Sequence, residues 1–497
     1  MTFSPRTPVV VGVGELTRRG KSVADPIDLA SEAARRALQD AGAEIGRRID
    51  TVATPGILLI PRDNPASRIA ETTGLTPQHR ISCPVGGNTP QYLVERLGNR
   101  IWRGDSDAVL IVGAESGASA RRITSSDAPL DPTAVARRDE SLGDARPGLS
   151  ESEMRAGLYW PHQVYPIFES AMAARAGRTF DEQRRWLGGL MAPFTLEASR
   201  HPEKSWFPRS YSADELSAVS PANRMVCEPY PKLLNSIIAV DMAAAFVLVA
   251  AEVAEELRVP RDRWVFPWSA ATCNDVYYPL QRPDLGRSAG IKAAGDAALD
   301  ASRLSIDDVT WFDFYSCFPS AVEAAIDAFD LDTADARGFT VTGGLPYHGG
   351  PGNNYVSHSI AEMVRRCRSE PDAVGLVSGV GWYITKHSLG LWSATPPPNG
   401  WQTPDMVQAQ STIDATSLAV ASLADATGRA TIDGYTVVHD RDHGPSWVPV
   451  FARLTDGRRV AARNDEAEVA IAMSKEMMVG HPVTVRGGDE HVEFELS

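Results

Sequence analysis

The chain of 497 residues is short of most features that assign a function quickly. Its five cysteines, at 83, 227, 273, 317 and 367, form no CxxC pair and are odd in number, which argues against a disulfide framework or a cysteine zinc site and fits a reducing cytoplasm. No HExxH and no GxSxG occurs, so neither a zincin nor a nucleophile-elbow hydrolase is indicated. Basic residues are outnumbered: 49 Lys plus Arg face 63 Asp plus Glu, a formal charge of −14 that repels nucleic acid and anionic membranes. Long hydrophobic runs are missing. Met242–Ala251 is the longest and cannot cross a bilayer, and the Met1-Thr2-Phe3-Ser4-Pro5 start has no signal core. What remains is an ordinary globular balance, 43% apolar and 23% charged, with length for about three domain-sized units. The expected location is cytoplasmic.

The patterning present is α/β. Pro8-Val9-Val10-Val11-Gly12-Val13-Gly14 reads as a buried strand, Asp28–Ala43 as a helix and Thr51-Val52-Ala53 as the next strand, which predicts a mainly parallel sheet covered by helices. The rhythm recurs. Residues 33–41 resemble 293–301, and 107–113 resemble 372–378. Ile49-Asp50 returns as Ile306-Asp307, and a helix opening near Tyr92 is echoed by one near Tyr355. Four matches in one order at nearly constant offset indicate a duplicated unit. Residues 1–143 and 233–393 are then the halves, and 144–232, rich in Trp, Pro and Tyr, is an inserted loop region. The apolar stretch 236–257 is expected to be a buried central helix. After Thr395-Pro396-Pro397-Pro398-Asn399-Gly400, residues 394–429 read as a stiff linker. Residues 430–497 alternate as five or six short strands around one helix (466–477), a small antiparallel β-barrel. From Ser411 onward 14 acids face eight basic residues, which disfavours nucleic acid there too.

Gly12-x-Gly14 lacks the third glycine and downstream acid of a dinucleotide loop, so a tight turn is expected. His439-Asp440-Arg441-Asp442-His443 could ligate a metal, but its place between strands favours a solvated hairpin tip. Four other segments could share one crevice at strand ends and helix starts. Cys83-Pro84-Val85-Gly86-Gly87-Asn88-Thr89 and Thr342-Gly343-Gly344-Leu345-Pro346-Tyr347-His348-Gly349-Gly350-Pro351-Gly352-Asn353-Asn354 each lead into a helix, where glycines admit backbone N–H groups to a ligand. Phe312-Asp313-Phe314-Tyr315-Ser316-Cys317-Phe318 and Ser378-Gly379-Val380-Gly381 end strands of the second half.

This order of motifs resembles the thiolase superfamily over about residues 5–393. The barrel-like tail is similar to that of thiolase-like proteins grouped with the sterol-carrier-type thiolases. Gly104-Asp105 and Gly113-Ala114-Glu115-Ser116 resemble the family's Gly-Asp and Gly-Met-Glu-Ser elements. Cys317-Phe318 matches the end of its His-Asp-Cys-Phe strand, and Gly343-Gly344 with His348 resembles the glycine loop that reaches Gly-His-Pro, two residues shorter. The resemblance implies a duplicated thiolase fold and Claisen chemistry on acyl-CoA. Counted from Gly104-Asp105, however, the nucleophile position falls near Gly87, the second cysteine near Ser378, and Tyr315 replaces the water-activating Asn or His. A thiolase needs a thiolate and a second base.

The leading expectation is therefore a thiolase-like protein that binds an acyl-CoA or acyl thioester, with Gly87, Asn88, Gly343, Gly344, Ser378 and Gly379 lining the site, but without standard turnover. The competing expectation is an acyltransferase with Cys83 as nucleophile, His348 as base or oxyanion donor, and Cys317 or Tyr315 as proton carrier. A third is a scaffold that docks a protein partner through the barrel. No metal or resident cofactor is expected. The resemblance also implies dimerisation through the strand before the nucleophile loop; His79-Arg80-Ile81-Ser82 is short and polar, so a monomer is expected.

Overall fold

A computed structural model describes residues 3–42, 44–122 and 138–496. The strands, in chain order, are β1 Pro8–Thr17, β2 Thr51–Thr54, β3 His79–Ser82, β4 Ala108–Ser116, β5 Glu140–Ser141, β6 Met225–Cys227, β7 Tyr230–Pro231, β8 Asp241–Ala250, β9 Phe266–Asn274, β10 Trp311–Asp313, β11 Gly375–Gly381, β12 Lys386–Ser393, β13 Gly428–Tyr435, β14 Val438–Asp440, β15 Gly444–Leu454, β16 Arg459–Asn464, β17 Pro482–Gly487 and β18 Val492–Leu496.

Two sheets carry the core. The first has the order β1-β8-β4-β2-β3-β5 and the second β9-β12-β11-β10. Overlaid, β1 answers β9, β8 answers β12, β4 answers β11 and β2 answers β10, so the duplication read in the sequence is a duplication of strand order. In each half the strand that closes the unit, β8 or β12, runs antiparallel to both neighbours. The sheets are therefore mixed rather than mainly parallel.

β8 also corrects the expectation of a central helix at 236–257. Asp241–Ala250 is strand, and only Ala251–Glu256 is helical. Every residue of β8 is buried. A strand covered on both faces reads as a continuous apolar run, which periodicity cannot tell from a buried helix.

Helices cover the sheets. Pro26–Ala41 lies on β1 and β8, Ala289–Ser302 on β9 and β12, while Thr89–Arg103 and Tyr355–Ser369 pack between the two sheets. Gly12 and Gly14 stand inside β1, not in a turn. A Cβ on Gly12 would lie 2.7 Å from the Cβ of Ala41, and one on Gly14 would lie 2.5 Å from the Ala37 nitrogen. The glycines let the Pro26–Ala41 helix seat directly on the strand, which explains the motif without a nucleotide.

The insertion is more helical than its composition implied, with helices Pro161–Arg175 and Phe180–Arg200. The proline-rich stretch after Ser393 is fastened down rather than free-standing. Trp401 Nε1 donates to Asn99 Oδ1 at 2.9 Å beneath Gly98, and Leu418 N donates to Gln281 O at 2.8 Å.

The predicted barrel is present: β13, β17, β18, β16 and β15 close on themselves through the β13–β15 pairing, and β16–β18 is the one parallel pair in the ring. Its sheet continues through β14 into β6 and β7 of the insertion. Arg459, 1% exposed, ties barrel to core by donating to Asp433 Oδ2 at 2.8 Å and to the Arg282 carbonyl at 2.6 Å. The 439–443 segment is a hairpin tip, as expected, with His443 exposed and bonded to Asp440, while His439 reaches Glu228 Oε1 at 3.1 Å. No helix among the described residues is long and apolar enough to cross a membrane.

Candidate functional site

The crevice predicted from strand ends and helix starts forms where the halves meet. The Cys83–Asn88 loop enters the Thr89–Arg103 helix, and the 349–354 loop enters the Tyr355–Ser369 helix. Asn353 stitches the loops together: its Oδ1 accepts from Gly86 N at 2.9 Å and its Nδ2 donates to Gly56 O at 2.6 Å. Asn354 donates to Gly113 O at 2.6 Å, which fixes the same loop to β4.

Gly87, Asn88, Tyr315, Ser378 and Gly379 come together. The Tyr315 N–H donates to Ser378 Oγ at 2.9 Å, and Asn88 Nδ2 donates to Ser388 Oγ at 3.0 Å. The packing is tight. A Cβ on Gly379 would lie 2.8 Å from Asn88 Cα. A Cβ on Gly87 would overlap the Tyr315 hydroxyl and lie 2.7 Å from its Cζ and 2.5 Å from the Val380 carbonyl. Gly87, near which the count from Gly104-Asp105 is expected to put a nucleophile, thus has no room for a side chain, and Tyr315 fills the space. Gly344 abuts Ser316 in the same way, its Cβ position 2.6 Å from Ser316 Oγ. Gly343, with φ 107°, lies against Ala198 of the insertion.

The proposed acyltransfer residues do not assemble. Cys83 is buried beside Lys386 and Tyr92; burial pushes its thiol up to about 12 against the pull of the Lys386 ammonium. Lys386 itself donates to the Val85 and Asp144 carbonyls at 3.0 and 2.9 Å, and burial lowers its pKa. Cys317 is also buried, its thiol raised to about 12, in contact with Tyr165 rather than Cys83. Burial likewise holds Tyr315 well above the ordinary phenol range.

His348 faces elsewhere. Its ring lies 5.2 Å from that of His358, and its Nδ1 is 3.4 Å from Ser205 Oγ. Burial, with His358 next to it, depresses its pKa to about 3, so the imidazole is neutral. Two residues further on, a Cβ on Gly350 would overlap the Ser236 hydroxyl. Among the described residues Cys83 and His348 share no hydrogen-bond partner.

Sequence reasoning passed over Lys386 and Glu15, and included Asn353 and Asp313 in its candidate segments without giving either a role. Lys386 had a faint signal, the one Lys in a run of β12 that otherwise holds His387, serines, glycine and apolar residues. Asp313 had only its place in the Phe312–Phe318 segment. It is fully buried, accepts from Ser359 Oγ at 2.6 Å and Val341 N at 2.9 Å, and anchors the glycine loop.

Two mixed sheets built from one duplicated strand order, with two buried helices between them and their N-terminal loops facing each other, define a thiolase-fold protein. The C-terminal residues 408–490 match the family "Thiolase-like protein type 1 additional C-terminal domain". The whole chain aligns with the whole of a monomeric SCP2-thiolase-like protein type 1 from Mycobacterium smegmatis, at 33% identity and a TM-score of 0.87. The chain therefore belongs to the SCP2-thiolase-like proteins of type 1. More remote structures share the fold of the core. An acetyl-CoA acetyltransferase from Syntrophomonas wolfei is 18% identical, with a TM-score of 0.57 over 78% of this chain and 99% of that one. The Acat5 thiolase from Ascaris suum, in complex with coenzyme A, is 16% identical, with a TM-score of 0.56 over 78% and 99%. No curated protein matches the chain.

Proposed function

We propose that this protein binds an acyl-CoA or related acyl thioester between its two halves without transferring the acyl group to a thiol of its own. The observation that carries the reading is the contact of Gly87 with Tyr315: the nucleophile's place is a glycine closed over by a phenol. The nearest thiol, Cys83, keeps its proton at neutral pH and has no imidazole to take it. For the acyl-thioester ligand, the support is the shared fold with a coenzyme A-bound thiolase and the glycine-lined loops at two helix starts.

The test is intact-mass spectrometry of the acid-quenched protein after incubation with acetyl-CoA and acetoacetyl-CoA, with a calorimetric titration of both thioesters. Binding heat with an unmodified protein and intact thioesters is the expected result. An acyl adduct mapped to Cys83 would establish the acyltransferase instead, and absent heat with both ligands would remove the acyl-thioester ligand.

The same reading holds the chain to be a monomer. β3, the strand through which thiolases pair, has the second half of its edge taken by the chain's own β5, with Ile81 opposite Glu140 and Ser82 opposite Ser141. Light scattering at micromolar concentration should return the mass of one chain.

A further inference from the structure

Lys386, the first residue of β12, is a buried cation with no counter-ion. It is 7% exposed, and its Nζ donates to the Val85 and Asp144 carbonyls at 3.0 and 2.9 Å. Two acceptors use two of the three ammonium hydrogens and leave one to give. No carboxylate among the described residues lies within ion-pair distance of this nitrogen, and that of Asp144 is held by Arg146 at 2.6 Å. A charge buried without a partner is costly, and an ion of opposite sign removes the cost. Burial lowers the Lys386 pKa, although the Asp144 charge works the other way.

The neighbours of Lys386 are also short of an acceptor. The Trp382 ring lies with its centroid 5.9 Å from Nζ, and its indole N–H is buried with no hydrogen-bond partner. Tyr277, beside Trp382, spends its hydroxyl on the Arg146 carbonyl at 2.9 Å and carries the Arg146 guanidinium 3.8 Å from its ring centre. The charges that bear on Lys386 are therefore Arg146 and Asp144, one of each sign, and its own stays unbalanced. Cys83 faces it too, but as a neutral thiol it supplies no anion. Trp382 and Ile384 shape the turn before Lys386 in the left-handed region, at φ 55° and 51°. A β-branched residue adopts that conformation only at a cost, and such costs gather at ligand sites.

This wall belongs to the Gly87 crevice. Lys386 Nζ lies 3.6 Å from the Cβ position of Gly86, the residue before Gly87. On the reading that an acyl thioester lies between the halves, we infer that Lys386 determines which acyl group is taken: it pairs with a carboxylate at the far end of that group, with the Trp382 N–H as second donor. The preferred ligand is then a short dicarboxylic acyl thioester. Neighbouring Cα atoms are ~3.8 Å apart, about the reach of a chain of four carbons, so the carbonyl stays beside Gly87 and Tyr315 while the carboxylate meets Lys386.

Succinyl-CoA and butyryl-CoA carry a carboxylate and a methyl group at the same position, and calorimetric titration of the full chain with each reads the difference. A charge-assisted hydrogen bond to a buried ammonium should make succinyl-CoA bind at least about tenfold more tightly. In Lys386→Met the ratio of the two affinities should fall to near one. Equal affinities in the parent protein, or a ratio that survives in Lys386→Met, would overturn the assignment and leave the acyl-thioester ligand standing. Heat from neither thioester would remove the acyl-thioester ligand itself, and the role of Lys386 with it. If circular dichroism shows that Lys386→Met does not fold, Lys386→Gln replaces it; if neither folds, the ratio in the parent protein decides.

Discussion

Alkylation of Cys83 measures directly how far the fold keeps this thiol out of chemistry. The reactive species is the thiolate, and burial lifts the Cys83 pKa to about 12. At pH 7.5 a thiol of ordinary pKa about 8.5 is roughly one-tenth ionised, whereas one at about 12 is ionised to about three parts in 100,000. The native chain should therefore react with iodoacetamide at Cys83 roughly three thousandfold more slowly than the same cysteine in guanidinium-unfolded chain. All five cysteines are buried, so the product must be mapped by peptide mass rather than by total thiol. The pH dependence is the sharper readout. The rate should rise tenfold per pH unit through pH 10 without levelling, because titration is still incomplete there. A plateau near pH 8.5–9, or a native rate within tenfold of the unfolded one, would mean that Cys83 ionises easily, and the argument against its use as a nucleophile would fail.

Three further outcomes follow from contacts already described. Arg459→Met leaves the Arg282 carbonyl without its donor at the barrel–core boundary and takes from Asp433 one of its two arginines, Arg453 staying at 3.0 Å; it should cost about 1–3 kcal/mol, seen as an earlier urea transition and faster proteolysis between core and barrel. Trp401→Ala empties a site 3% exposed beneath the Thr89–Arg103 helix and should cost about 3–5 kcal/mol, with new protease cleavage appearing within 394–429. Glu115 is raised to about 7 by burial, although the Leu58 and Leu59 N–H groups pull it down. It is protonated in the fold where the unfolded chain has ionised, so its contribution is complete below pH 4.5 and is lost as pH rises to about 7, on the order of 3 kcal/mol in all. Glu115→Gln should flatten the urea midpoint over that window; an unchanged slope would show that the carboxyl ionises normally.

How much of this was legible beforehand divides by length scale. The duplication could be read because the Pro26–Ala41 and Ala289–Ser302 helices kept similar alanine spacing and β4 and β11 kept similar apolar runs. The barrel could be read because its strands alternate buried and exposed residues, as in Gly428–Tyr435, where buried Ala430 and Ile432 alternate with exposed Arg429 and Thr431. β8 could not, because a strand buried on both faces carries no alternation at all. At the site, residue types named the right neighbourhood, and Gly87, Asn88, Tyr315 and Gly379 do meet. Their chemistry was decided by direction. His348 is near in sequence to the glycine loop, but its ring faces Glu15 and His358, which no local pattern announces.

The ribbon that joins barrel to insertion also sets a clock on biosynthesis. Cys227 pairs with Val438, and the Thr436 hydroxyl donates to the Glu228 carbonyl 208 positions earlier in the chain. At ribosomal speeds of about 5–20 residues per second, β6, paired with β7 on one edge, must wait roughly 10 to 40 s after its own synthesis for the partner of its other edge. Through that interval the edge of the insertion is unfilled, and β14, made with the barrel, completes it. A stalled or truncated message would leave behind a core whose inserted region has nothing to close on, so quality control has a plain mark by which to tell an unfinished copy from a finished one.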